Sequence, residues 1–264
     1  MLRELLLEFS TPLLVMLIVG GSALLGIVST YLVRRFIDER IHQANNEVAG
    51  FIFAAVGVIY GVLIAFMVLV VWEEFQTARV IVEQEANLAV NIFRLGQALP
   101  EPDSGLVQET IIEYTQQVIQ SEWHTMETGQ ASESVDAALE KLWTVHRQID
   151  FDKAKGTFHP EHLFKLLNEL GNTRRLRLLE SRTEIPPLMY SLLISGAVVT
   201  IGFTLFLRAP NLRAHLLMAG MFAGLVAFVL LLIVELDNPF LGEIRVQPTA
   251  FQQALELLTD LRGK

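Results

Sequence analysis

Apolar residues are concentrated in four long runs along the chain. The runs are Leu13–Val33, Val48–Trp72, Pro186–Leu207 and about Leu212–Val234. Each reaches the roughly 20 apolar residues that a helix needs to cross a bilayer. Backbone groups in lipid must be paired within their own segment, so each run predicts a transmembrane helix, and we number these membrane segments one to four.

The polar stretch between segments two and three is predicted to be helical as well. Apolar residues recur at three- and four-residue steps in the stretch that follows segment two, so that segment is expected to continue without a break until Pro100 and Pro102. Similar periodicity predicts helices near 106–126, 135–149 and 160–184, and no strand-like alternation occurs. The fold class is therefore an all-α, polytopic membrane protein with four transmembrane helices and a helical extramembrane insert. The expected domains are 1–72, 73–185, 186–236 and a tail, 237–264.

Charge is divided unevenly between these parts. The 264 residues are 52% hydrophobic and 19% charged, with a net charge of −9. The insert, 73–185, contains 19 acidic and 11 basic residues and so carries −8 of that charge. An acidic chain argues against nucleic acid as a partner. The expected partner is the lipid bilayer. An acidic domain at a membrane surface also raises the local concentration of cations.

Residues that could carry catalysis or bind a metal are scarce. No cysteine is present, and no nucleotide-binding or hydrolase motif occurs, so neither an enzyme nor a cofactor is expected. His159, Glu161 and His162 form an HPEH sequence that could hold a metal, but a polar helix start is the more usual explanation, and we assign no metal site. Glu73–Glu74 and Glu83–Glu85 are expected on solvated helix faces, with a cation site as the alternative.

Small residues form stripes on two membrane segments. Segment two carries Gly50, Gly57 and Gly61 at helical spacing, together with Ala54 and Ala65. Segment four carries a second GxxxG pair, Gly220 and Gly224. Such stripes let helices approach closely in lipid. The contact they serve lies either within one subunit or between subunits around a shared axis.

The opposite face of segment two is apolar, with Ile52, Val56, Ile59 and Phe66. This face either meets lipid or forms a hydrophobic constriction that gates a pore by dewetting. Polar residues lie at the ends of the segments. Asn46 and Glu47 precede segment two and Glu235 follows the apolar part of segment four, which makes them interfacial anchors or residues of a pore mouth.

Two stretches carry a resemblance when taken together. They are NEVAGFIFAAVGVIYGVLIAFMVLVVW, from Asn46, and NLRAHLLMAGMFAGLVAFVLLLIVELDNPFLGEIRVQP, from Asn211. Their order and spacing resemble the bestrophin-like family of bacterial membrane proteins, long catalogued as a domain of unknown function, and more distantly the bestrophin ion channels. The bestrophin NPFG motif matches Asn238, Pro239 and Phe240, but Leu241 precedes Gly242 here. Only Glu243 represents the acidic calcium-binding run of animal bestrophins, so calcium gating does not carry over.

The resemblance implies a homo-oligomeric channel for small ions, pentameric in the known bestrophins, with the second transmembrane helix lining the pore. We therefore predict a channel of a bacterial inner membrane that favours cations, with Ile52, Val56, Ile59 and Phe66 at the constriction. The alternative is a non-conducting scaffold or sensor whose insert binds a protein partner. Arginine counts beside the segments do not fix the orientation; the resemblance places the insert and both termini in the cytoplasm.

Overall fold

The computed structural model describes residues 9–36, 39–149, 160–207 and 209–263, with side chains described throughout except at 39–47 and 160. It is 84% helix, and no strand occurs within those ranges. The predicted all-α class is confirmed.

The described ranges contain eight helices of 14 residues or more, and we number them in chain order. They are α1 (Thr11–Phe36, with a π-helical turn at Val15–Val19), α2 (Glu39–Gly96), α3 (Asp103–Gln117, followed by a π turn at Val118–Glu122), α4 (Glu133–Gln148), α5 (Pro160–Glu180), α6 (Pro187–Phe206), α7 (Leu212–Leu236) and α8 (Thr249–Arg262).

Four of these helices are long and apolar enough to cross a membrane: α1, α2 from Val48 onward, α6 and α7. They coincide with the four predicted membrane segments. The 58 residues of α2 run unbroken through segment two and far into the insert, as the periodicity predicts. At 1.5 Å per residue this helix is about 87 Å long.

The chain divides into two compact units. The first unit comprises Met1–Glu74 and Glu184–Arg245, and the second comprises Phe75–Thr183 and Val246–Lys264. The residues from 246 onward, which the sequence analysis treats as part of a tail, belong to the second unit and include α8.

In the first unit, α1 and α7 pack through glycines. A Cβ atom added at Gly220 would lie 2.8 Å from Ile27 Cγ1, and one at Gly26 would lie 2.9 Å from Ala223 Cβ. Gly224 faces Ala23 and Val19 at ordinary van der Waals distance. Because lipid supplies no hydrophobic drive between helices, this close backbone approach provides the packing energy.

Helices α2 and α6 meet through a tyrosine. The ring of Tyr60 lies against Gly196, where an added Cβ atom would come within 2.6 Å of it. The Tyr60 hydroxyl donates a 3.0 Å hydrogen bond to the carbonyl of Leu193. This bond satisfies a buried polar group that would be costly to leave unpaired in a membrane helix.

The second unit is built around a buried ionic network. Arg177 on α5 is fully buried, and its guanidinium binds both carboxylate oxygens of Glu85, at 2.7 and 2.9 Å, and Glu122 at 2.6 Å. Arg174, one turn earlier, also binds Glu122 and reaches Asp136 at 2.6 Å. Two arginines therefore neutralise two fully buried glutamates, and Arg174 also pairs with Asp136, whose side chain is 61% exposed.

Neutral groups complete this network. The Tyr114 hydroxyl donates a 2.6 Å hydrogen bond to Glu85. The Arg177 guanidinium also lies over the rings of Trp123 and Phe251, 5.5 and 5.7 Å from their centroids, which adds cation–π attraction. The positive charge of Arg177, on α5, is thus surrounded by residues from several elements: α2, α3, the π turn after α3, and α8.

The network also changes the acidity of its members. Burial alone raises the pKa of Glu122, but hydrogen bonds from Arg174 and the positive charge of Arg177 outweigh it and hold that pKa below its ordinary value. Burial is the largest cause that raises the pKa of Tyr114 well above its ordinary value, and the charge of Glu85 adds to it. Glu122 is therefore ionised and Tyr114 neutral at neutral pH.

We expect Arg177→Met to destabilise the second unit strongly. It leaves Glu85 buried without its counter-charge, and breaking one side of a buried ion pair costs about 3–5 kcal/mol. The measurement is urea unfolding of the purified protein in detergent, followed by tryptophan fluorescence. Arg79→Met is the matched control, because Arg79 pairs with Glu83 on the exposed face of α2 and should cost about 1 kcal/mol or less. An equal loss in the free energy of unfolding for the two variants would contradict a stabilising role for the buried network.

Candidate functional site

The predicted constriction residues lie on a face of α2 that its own unit leaves largely uncovered. Tyr60, Met67 and Val71 mark the buried side of the helix. Away from that side, Ile59 is 72% exposed and Phe66 is 64% exposed, and Ile52 is exposed as well. Val56 lies between the two sides and is half-buried. The helix therefore presents a row of large apolar side chains that the described part of the first unit leaves partly uncovered.

The glycine stripe of α2 also faces open space. A Cβ atom added at Gly57 or Gly61 would meet nothing within 4 Å, and one at Gly50 would only reach Leu207 at 4.0 Å. Both open glycines line a groove of about 380 Å³ whose other walls come from α6 and α7, including Phe222 and Val226. The small residues and apolar walls of this groove suit close approach by a further helix.

The predicted mouth residues differ in position. The side chains of Asn46 and Glu47 lie outside the described residues. Glu235 is only 1% exposed, and Thr11 donates a 2.7 Å hydrogen bond to its Oε1 atom. Among the described residues its Oε2 atom has no hydrogen-bond partner, and it points at Gly242, where an added Cβ atom would lie 2.6 Å away. Within one subunit Glu235 thus links the start of α1 to the end of α7 and does not face solvent.

The family motif forms the turn that ends α7. Asn238, Pro239 and Phe240 are buried, and the amide of Leu241 donates a 3.0 Å hydrogen bond to the carbonyl of Asn238. Gly242 has a φ of +69°, a left-handed conformation that favours glycine. The inserted Leu241 is itself buried, so the extra residue relative to NPFG is accommodated inside the unit.

Asp237, at the start of this turn, holds α6 to the end of α7. It accepts a 2.6 Å hydrogen bond from the Tyr190 hydroxyl and a 3.0 Å bond from the Ile185 amide. Burial raises the pKa of Asp237 to about 6; the charges of Glu74 and Glu184 add to the rise, and the two hydrogen bonds oppose it. In the sequence Asp237 is only an acidic residue that follows an apolar run, and nothing there indicates these contacts.

The candidate metal motif is only partly visible. His159 lies outside the described residues. Among the residues that are described, no group of three histidine, aspartate or glutamate side chains is close enough to hold a metal ion. The two outer glutamates of the Glu83–Glu85 cluster on α2 differ in environment: Glu83 is exposed, whereas Glu85 is fully buried. The expectation of a solvated face is therefore wrong for Glu85.

The chain is similar in sequence to one protein family and in fold to several solved structures. Residues 20–251 match the model of the bestrophin-like domain. The fold is similar to the crystal structure of a bacterial bestrophin homologue from Klebsiella pneumoniae, with a TM-score of 0.71 at 12% identity, over 92% of this chain and 98% of that one. A tryptophan-to-alanine variant of that homologue gives a TM-score of 0.73 at 12% identity, over 93% and 97% of the two chains. No curated protein matches the chain.

The family match covers most of the chain, including α2, α7 and the turn that ends α7. The structural similarity extends over nearly the whole of both chains and supports the same fold. Together they support a membrane protein of the ion-channel type. The resemblance in the sequence is thereby confirmed: this chain belongs to the bestrophin-like family.

Proposed function

We propose that the protein is an oligomeric ion channel of a bacterial inner membrane in which α2 lines the pore. The observation that carries the proposal is the uncovered row of Ile52, Ile59 and Phe66 on a membrane-spanning helix. Copies of α2 arranged around an axis would bring these rows together as an apolar ring. Such a ring excludes water when narrow and gates by dewetting.

The groove beside Gly57 and Gly61 supports assembly from several copies. The open space beside both glycines would let a helix of a neighbouring subunit approach closely there. A pentamer, as in the bestrophins that the chain resembles, is our proposed assembly. Asn46 and Glu47 at the start of the α2 span remain the proposed mouth residues; Glu235 does not, because its carboxylate is buried.

The acidic insert supports a preference for cations. Glu85 and Glu122 are neutralised internally by Arg174 and Arg177, so the insert's net charge of −8 resides on its other residues. A net negative domain attracts permeant cations and repels anions over a distance set by ionic strength. We propose that the insert and both termini are cytoplasmic.

Changing the proposed constriction should change conduction. We expect Ile59→Ser to increase single-channel conductance several-fold, since a hydroxyl lowers the cost of wetting an apolar ring. Val198→Ser is the matched control, because Val198 is 65% exposed on the membrane-spanning helix α6 and lines neither the proposed constriction nor the groove. Both are measured in planar bilayers under symmetric salt.

Two outcomes would contradict the constriction. Equal effects of the two substitutions on conductance would contradict our assignment of Ile59 on α2 to the constriction. A purified wild-type protein that carries no current under any ion gradient would reject the channel, and a monomer or dimer in the same preparation would favour a scaffold or sensor instead.

Filling the groove should disrupt assembly without unfolding the subunit. We expect Gly57→Leu to shift the protein toward smaller species by light scattering after size exclusion, while its thermal midpoint stays close to that of the wild type. Gly202→Leu, on α6, is the control, since its added side chain also meets open space but does not line the groove. An unchanged oligomer with Gly57→Leu, or equal dissociation with Gly202→Leu, would exclude the groove as the subunit contact.

Cation preference that arises from the acidic insert should depend on salt. The Debye length falls from about 30 Å at 0.01 M to about 3 Å at 1 M ionic strength. We therefore expect reversal potentials under a fixed tenfold KCl gradient to indicate cation selectivity that weakens steadily as total salt rises. Anion-selective reversal potentials, or a selectivity independent of salt, would count against the insert as its source.

A further inference from the structure

A cavity of about 210 Å³ lies inside the first unit, among α1, α6 and α7. Its walls are apolar apart from Ser22 and Tyr190. The lining residues are Leu14, Ile18 and Ser22 from α1, Tyr190, Leu193 and Ile194 from α6, and Ala227, Leu230, Leu231 and Val234 from α7. The cavity is separate from the groove beside Gly57 and from the exposed face of α2.

The chemistry of these walls disfavours water as the resident. A buried water needs two to four polar partners and typically makes about three hydrogen bonds. The Tyr190 hydroxyl already donates to Asp237 at 2.6 Å, so only Ser22 and the acceptor side of Tyr190 could bind a water here. An engineered apolar cavity of about 150 Å³ stays dry and takes up benzene, so this larger one suits an apolar ligand.

The shape of the cavity favours an extended ligand. Its lining extends over eight residue steps of α1, from Leu14 to Ser22, and seven of α7, from Ala227 to Val234. At 1.5 Å per residue these correspond to about 12 and 10 Å along the helices. The space is therefore a slot parallel to the membrane-spanning helices. On its α6 side lies Ile194, whose side chain is more than half exposed.

A π-helical turn in α1 is a second and independent observation at the same place. The turn covers Val15–Val19, so it falls between the lining residues Leu14 and Ser22. π turns make up well under 1% of protein structure, and they occur frequently at functional sites. This irregularity in an otherwise regular spanning helix marks the wall of the slot.

We propose that the slot binds one acyl chain of a membrane phospholipid. All three helices that enclose it are membrane spans, so the medium beside Ile194 is bilayer hydrocarbon. One end of the slot, at Leu14 and Val234, lies next to the membrane-edge bonds of Thr11 and Asp237, which is the depth at which a phospholipid places the start of its chain. The inference needs only residence in a membrane and is independent of ion conduction.

Photolabelling of the purified full-length protein in nanodiscs tests this proposal. The probe is a phosphatidylcholine with a diazirine on one acyl chain, and adducts are mapped by mass spectrometry. We expect adducts to concentrate on Leu14–Ser22 and Ala227–Val234, and Ala227→Phe, which fills the slot, to lower them at least fivefold. Met221→Phe is the matched control, since Met221 lies on the exposed surface of α7 outside the cavity, and it should leave the slot adducts unchanged.

Additional labelling experiments distinguish the phospholipid from other occupants of the slot. Even labelling of all exposed spans, unaffected by Ala227→Phe, would overturn the site. Adducts displaced by excess oleate but not by excess unlabelled phospholipid would assign the slot to free fatty acids and overturn the phospholipid. If Ala227→Phe fails to fold by size exclusion, Ser22→Leu, which extends into the slot from α1, replaces it under the same criteria.

Discussion

The buried guanidinium of Arg177 is the constraint around which the second unit is arranged. A positive charge with no access to water must be matched by carboxylates at hydrogen-bonding distance, and here Glu85 and Glu122 supply them from different parts of the chain. Buried ion pairs add little net stability compared with apolar packing. What they do is penalise every arrangement in which one member lacks its partner. The network therefore selects one register of α2, α3 and α5 against all others.

The first unit depends on the opposite physics. Its helices are apolar all round, so hydrophobicity cannot specify which faces meet, and backbone approach at Gly26 and Gly220 performs that task. Polar contacts gather at the ends of the helices, where Thr11 binds Glu235 and Tyr190 binds Asp237. Close packing in the interior and hydrogen bonds at the edges together hold α1, α6 and α7.

Much of this fold follows from sequence patterns, because each pattern reflects a requirement of the bilayer or of helix periodicity. The four spans and the uninterrupted α2 are of this kind. The ionic network was not predicted, since a charged residue on a helix is normally solvated. A signal was nevertheless present: the buried stripe Leu163, Leu167, Leu170 continues at the same spacing through Arg174 and Arg177. Only the pairing with Glu85, 92 residues away, required the structure.

The candidate site was harder to predict for a different reason. A row of apolar residues on a membrane helix looks the same in sequence whether it meets lipid, a neighbouring subunit or a pore, so the pattern on α2 identified the face and left its partner open. Glu235 illustrates the converse. Its position after an apolar run suggested a mouth charge, whereas the turn through Gly242 folds back over it and encloses the carboxylate.

The separation between Glu85 and Arg177 also determines when the second unit can form. Ribosomes add roughly 5–20 residues per second, so Arg177 is made roughly 5–20 s after Glu85. Throughout that interval Glu85 lacks the partner that matches its charge in the finished unit. The second unit therefore cannot close around its ionic network before Arg177 is made, which makes closure a late event of biosynthesis.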